Sequence, residues 1–296
     1  MAQPKDPCQA LPLAIALDLD GTLLSDGHLG EANRQAVSVL SRHGIRVIIA
    51  TGKHPLALWP YARSASLVTG PHIALSGASI TSDAGRSVAL LAEIPAQDAR
   101  AVAEELQRLD LAFAVFATDA IRVDARSGAP GEPLELLGRL ERLGEPATLE
   151  DDPFRHPAPV GKILTLLRSG DPREALVTER APLGVHALRS GPFFLDLGPA
   201  GHTKGTALVR VAADLGLSLE RIWAMGDSDN DIALLAAAGF SISFEGAPLS
   251  LLLHADRVVP PGPRAVHDAL RSLLPCLFDS ETAKDRAPEP RPHPGS

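Results

Sequence analysis

Five apolar runs rich in Ile, Val and Leu lie at residues 13–19, 45–51, 72–76, 221–226 and 240–244, toward the two ends of the chain. Between several of them, apolar residues recur at helical spacing over 31–43, 55–63, 204–215 and 229–238. Runs that are apolar throughout, separated by such helices, predict a parallel sheet covered on both faces: an α/β, doubly wound arrangement. Ligands of such sheets gather beyond the carboxyl ends of the strands.

The middle of the chain has a different pattern. The stretch SITSDAGRSVAL predicts a hairpin with its tip at Asp83–Gly85, and 97–109 predicts an amphipathic helix with Val102, Ala103, Leu106 and Leu109 on one stripe. LAFAVFA, GKILTLL and VHALRSGPFFLDL supply further strands, and helices are expected over 134–143 and 173–180. A smaller α/β domain at 84–192 is therefore expected, inserted into a larger one formed by 11–83 and 193–278. Residues 1–10 and the Pro-rich, charged 281–296 are expected to be disordered.

Composition narrows the function classes. At 45% hydrophobic and 22% charged residues the chain has the balance of a globular protein, and a net charge of −8 without a basic stripe disfavours nucleic acid and anionic membranes as partners. Cys8 and Cys276 are the only cysteines, and free thiols are expected. With no signal-like apolar stretch at the start, this predicts a cytoplasmic protein. Histidines 28, 43, 54, 72, 156, 186 and 202 show no metal-ligand spacing, with His54 and His202 placed at best on a pocket rim. Trp59, Tyr61 and Trp223 read as packing residues, and Thr148 to Pro153 as a solvated loop.

The first apolar run ends in Asp18 and Asp20, one residue apart and so on one face of an extended chain. Two carboxylates held about 4 Å apart repel by roughly 4 kcal/mol at an effective dielectric of ~20, so the pair requires a shared proton or a cation. The second run leads into Thr51 and Gly52, with Pro55 opening a helix, which makes an anion-binding corner. Lys204 starts a helix, where a cation opposes the macrodipole; taken alone it reads as a solvated lysine. The run 221–226 leads into Asp227, Asp229, Asn230 and Asp231, of which Asp229 is expected to cap the following helix. Asp227 closes a strand as Asp18 does, and hard oxygen ligands without cysteine or paired histidine select Mg²⁺.

DLDGTLL, ATGK, TKGTAL and GDSDNDIAL, in this order, resemble the four motifs of the haloacid dehalogenase superfamily of phosphatases, and the long insertion resembles the cap of its Cof-type branch. The resemblance implies a Mg²⁺-dependent phosphatase acting on a small phosphorylated metabolite, a sugar phosphate or related ester. In it, Asp18 is the nucleophile, and Asp20 is the general acid and base with its backbone carbonyl on the metal. Thr51 and Gly52 hold phosphate oxygens, and Lys204 offsets the charge of nucleophile and phosphoryl group. Asp227 is a metal ligand, Asp231 orients a metal-bound water or Lys204, and Asn230 stands beside the phosphate. Lys53, also in the phosphate- and substrate-binding set, replaces an arginine common among relatives, and loses its bidentate fork. Ser76 and Leu234 replace a common Asn and Met. A phosphotransferase or mutase, and a catalytically idle sugar-phosphate sensor, remain alternatives.

Overall fold

The structure, a computed structural model, describes residues 11–284. The chain begins with β1 (Ala14–Leu17), α1 (Glu31–Arg42), β2 (Arg46–Ile49), α2 (Pro55–Ser64), β3 (His72–Ala74), β4 (Ser79–Ser82) and β5 (Ser87–Leu90). There follow α3 (Ala96–Arg108), β6 (Phe113–Ala117), β7 (Ile121–Asp124), α4 (Glu132–Arg142), β8 (Ala147–Glu150), β9 (Val160–Leu166), α5 (Arg173–Arg180), β10 (Val185–Arg189) and β11 (Phe194–Pro199). The last part holds α6 (Lys204–Asp214), β12 (Ile222–Met225), α7 (Ile232–Ala237), β13 (Phe240–Phe244), α8 (Leu249–Leu252), β14 (Arg257–Val259), α9 (Ala265–Leu273) and α10 (Pro275–Lys284).

The parallel sheet runs β14-β13-β12-β1-β2. Every residue of β1 is buried because both faces are covered. Ile15, Leu17, Val47 and Ile49 pack with Leu40 of α1 and Leu270 of α9, while Ala14, Ala16 and Ile48 pack with Leu208 of α6 and Leu234 of α7. This is the expected doubly wound α/β architecture. The run 72–76 departs from it: β3 pairs antiparallel with β4, and touches the main sheet through one bridge, Ala50 with Ile73.

A second sheet, β10-β11-β9-β6-β7-β8, packs Val102 and Leu106 of α3 on one face and Leu136 and Leu140 of α4 on the other. The expected division at 84 and 192 does not follow the sheets. β5 hydrogen-bonds to β4 on the near side of the insertion, and β11 belongs to the second sheet, where it lies between β9 and β10. A hairpin and a Gly-Pro turn mimic boundaries in the sequence, whereas strand pairing carries the chain past both.

Thr148 to Glu150, expected in a loop, form part of β8, paired in parallel with β7. Residues 281–284, expected to be disordered, are the last turn of α10, in a stretch of helix-tolerant residues that precedes the first proline of the tail. The expectation of disorder for 1–10 and 285–296 lies outside the described residues. Cys276 is disulfide-bonded, not free, which corrects the thiol expectation and removes the cysteine argument for a reducing compartment; Cys8 lies outside the described residues. The local sequence around a cysteine carries no record of what approaches it in space. No helix among the described residues is long and apolar enough to cross a membrane.

Candidate active site

Register aligns the strand ends from which the site is built. Leu17 pairs with Met225 on one side and with Ile49 on the other, so β1, β12 and β2 stop at one level. Just beyond that level stand Asp18, Asp227 and Thr51. The Asp18 N–H still donates to the Met225 carbonyl at 3.0 Å, fixing the turn out of β1. Gly21, at φ +85°, lets the following loop lie against Asp227: a Cβ there would sit 2.3 Å from Asp227 Oδ2. Thr22 Oγ1 donates to Asp227 Oδ1 at 3.0 Å.

Lys204 is buried, not solvated. Its Nζ donates to Asp18 Oδ1 and Asp231 Oδ1, both at 2.6 Å, and to Asn230 Oδ1 at 3.2 Å. Thr203 caps α6 in a capping box with Thr206, so Lys204 is free of any capping duty and enters the site from the first turn. Asp231 Oδ2 accepts from the N–H groups of Asp227 and Ser228, and the capping box here joins Ser228 and Asp231. Asp229, the expected cap, instead accepts from Ser250. A cap is fixed by which residue has extended backbone before the helix, and that residue is Ser228.

Asp18, Asp227 and Asp231 offer carboxylate oxygens within 4.8 Å of one another. Burial, then the Asp231 and Asp227 charges, push the Asp18 carboxyl well above its usual range against the pull of Lys204. Burial and Asp231 push Asp227 up to about 6. Burial pulls the Lys204 ammonium down, but Asp18 and Asp231 outweigh it and hold the group above its ordinary value. Three carboxylates facing one ammonium leave a negative deficit that a divalent cation fits. With Asp231 engaged by Lys204 and two amides, Asp18 and Asp227 are the side chains open to one.

The loop after β2 is held from across the molecule. Thr51 is buried, and its Oγ1 accepts from Lys53 N at 3.2 Å. Lys53 Nζ donates to Leu143 O at 2.6 Å and pairs with Asp20 Oδ2 at 3.0 Å. His54, expected on a rim, is 1% exposed: Nδ1 accepts from Leu56 N, and Nε2 donates to Ala117 O at 2.8 Å. The His54 N–H meets both oxygens of Glu145 at 3.3 and 3.4 Å. The start of α2 is therefore capped by His54 and attended by a carboxylate of the protein itself. The anion-binding corner expected at 51–55 narrows to Thr51 and Gly52.

Three buried residues absent from the sequence-derived set complete the enclosure. Lys162 Nζ donates to Gly52 O at 2.8 Å and to Asp196 Oδ2 at 3.1 Å; Asp196 also accepts from Ser76 and Ser190. Burial pushes Glu145 up to about 7, against Lys53 and Lys162. Lys162 and Asp196 had a signal, each being a lone charge inside an apolar strand run, GKILTLL and FFLDL. Glu145 had none. A cavity of about 320 Å³ brings together Asp18, Asp20, Thr51, Gly52, Lys53, Asp227 and Asn230 with these three. Lys204 and Asp231 lie behind Asp18, completing its charge environment.

The family model described as haloacid dehalogenase-like hydrolase matches residues 15–263. The chain belongs to this family. Phosphoglycolate phosphatase of Archaeoglobus fulgidus is 30% identical over 263 residues, which cover 88% of this chain and 97% of that protein. Phosphoglycolate phosphatase of Methanoculleus marisnigri is 40% identical over 113 residues, 38% of this chain and 48% of the relative. A solved structure of a haloacid dehalogenase-superfamily phosphatase from Bacteroides thetaiotaomicron superposes with TM-score 0.72 at 26% identity, covering 92% of this chain and 98% of that one. The expected Cof-type kinship and enzyme class hold: this family member is a phosphoric monoester hydrolase.

Proposed function

We propose that the protein is a Mg²⁺-dependent phosphatase of small phosphorylated metabolites that works through an aspartyl phosphate on Asp18. The observation that carries this reading is Asp18, bonded from behind by Lys204 at 2.6 Å, on the wall of a cavity also lined by Asp20 and Asp227. An Asp18 oxygen attacks phosphorus, the phosphorus–oxygen ester bond breaks, and the leaving alkoxide takes the proton of Asp20. Water then attacks the aspartyl phosphate, Asp20 takes back a proton, and inorganic phosphate leaves with Asp18 restored. Lys204 stabilises the charge that builds on the transferring oxygens, while Thr51, the backbone at Gly52, and Asn230 align them.

Asp18, Asp227 and the Asp20 backbone carbonyl would hold Mg²⁺, with Asp231 steadying the surroundings. The ion supplies charge neutralisation and orients the phosphoryl group. The second sheet with its helices acts as a cap, and the contacts of Lys162, Leu143, Glu145 and Ala117 with 52–54 support its closing over the cavity.

A phosphate-release screen over phosphorylated metabolites, with Mg²⁺ and without any acceptor alcohol, tests this reading. Release is expected. Transfer only to an added acceptor would make the protein a phosphotransferase. The resemblance points to sugar-like leaving groups, but the chemistry of the cavity roof is what selects among them.

A further inference from the structure

Resting on that phosphatase reading, we propose that the preferred leaving group is a single planar, largely apolar ring bearing one hydrogen-bond donor, which Glu145 accepts. The roof of the cavity comes from β6, β9 and β11 with the residues just after α4 and just before β11. Phe116 pairs with Lys162 and Leu164 pairs with Asp196, and alternation along the strands sends Lys162, Leu164, Phe194 and Asp196 to one face. Phe116, Leu143, Leu164, Phe193 and Phe194 make the roof mainly carbon.

Most of its polar groups are already engaged with one another. The Lys162 ammonium bonds Gly52 O and Asp196, and lies 4.4 Å from the centre of the Phe116 ring. Asp196 Oδ2 accepts from Lys162 and Ser76, and its Oδ1 takes the one hydroxyl proton of Ser190. A polyhydroxylated leaving group brought under this roof would lose water and find few partners for its hydroxyls beyond the third N–H of Lys53 and the Ser190 oxygen, whereas an aromatic ring would lie against carbon.

Glu145 has the most acceptor capacity left. It is 5% exposed and lines the cavity, and its two oxygens share a single long N–H contact from His54. A carboxylate accepts about four hydrogen bonds, so Glu145 keeps capacity for one donor on the leaving group. A cavity of about 320 Å³ accommodates phosphate together with one ring.

The test compares kcat/KM of the intact protein with Mg²⁺ on hydroxybenzyl phosphate, benzyl phosphate, glucose 6-phosphate and glycerol 3-phosphate, with 4-nitrophenyl phosphate as a reactive control. Both benzyl esters should exceed the two polyol esters by about 100-fold, and the ring hydroxyl should add about 10-fold. In Glu145→Leu, which has no acceptor, that hydroxyl advantage should shrink toward unity. Product inhibition of the unmutated protein gives a second measurement independent of any variant: hydroxybenzyl alcohol should inhibit at far lower concentration than glucose.

Polyol esters turned over as well as the benzyl esters, or glucose inhibiting as well as the ring alcohol, would overturn the proposal. So would turnover of the reactive control alone. A hydroxyl advantage unchanged in folded Glu145→Leu would remove Glu145 from it. Release from none of the five esters would overturn instead the phosphatase reading beneath it.

Discussion

Asp18 is held where burial and two carboxylates oppose its charge and one ammonium supports it, so its neighbours decide whether it can act as a nucleophile. Asp20 lies in a different setting, 40% exposed and paired with Lys53 at 3.0 Å. Replacing Asp20 by Asn should lower kcat on alkyl phosphates by about 10²–10⁴-fold and cost much less on aryl phosphates, whose leaving groups need little protonation. Steady-state rates on one ester of each kind check this, and an equal loss on both would count against Asp20 as the acid.

Glu145 gives a pH test of a different sort. Its carboxyl titrates near 4.5 when unfolded and about 7 when folded, so the folded protein binds the extra proton between those values. Stability should fall as pH rises from about 4.5 through 7, by about 3 kcal/mol for this group, with the raised Asp227 adding in the same direction. Melting temperatures from pH 5 to 8 should show that fall, and a shallower one in Glu145→Gln.

At the scale of elements, β1, β2, β12 and β13 could be read in the sequence because a strand covered on both faces is apolar at every position. That reading also fixed the level at which Asp18, Thr51 and Asp227 meet. β11 and β5 were assigned to the wrong side because sheet membership depends on partners distant in sequence, which local pattern does not encode. The same holds for Lys204, whose burial follows from Asp18 and Asp231 nearly two hundred positions back and about thirty ahead.

The Lys162–Asp196 pair makes the link between the sheets measurable. Lys162→Met leaves Asp196 buried without its cation and should cost about 3–5 kcal/mol, while Lys162→Met with Asp196→Leu should recover much of it. Denaturant unfolding of the two variants compares them. Equal stability of the single variant and the unmodified protein would mean that the pair does not hold the Gly52 loop.

For the molecule as a whole, the acidic strand ends and the residues of the second sheet line one cavity, and on the proposed reading its excess of carboxylates requires a cation for activity. Thorough chelation with EDTA should abolish turnover and Mg²⁺ should restore it, whereas Ca²⁺, which accepts more ligands in looser geometry, should inhibit. Phosphate release measured across the three conditions decides this; full activity after chelation would refute the metal site. The most direct test of Asp18 as nucleophile is a rapid acid quench after mixing the protein and Mg²⁺ with radiolabelled acetyl phosphate, followed by peptide mapping. Label should appear in the peptide containing Asp18 and be absent from a folded Asp18→Asn variant, whose turnover should fall on the order of 10³-fold or more. Label on another residue, or undiminished turnover in that variant, would contradict an aspartyl phosphate on Asp18.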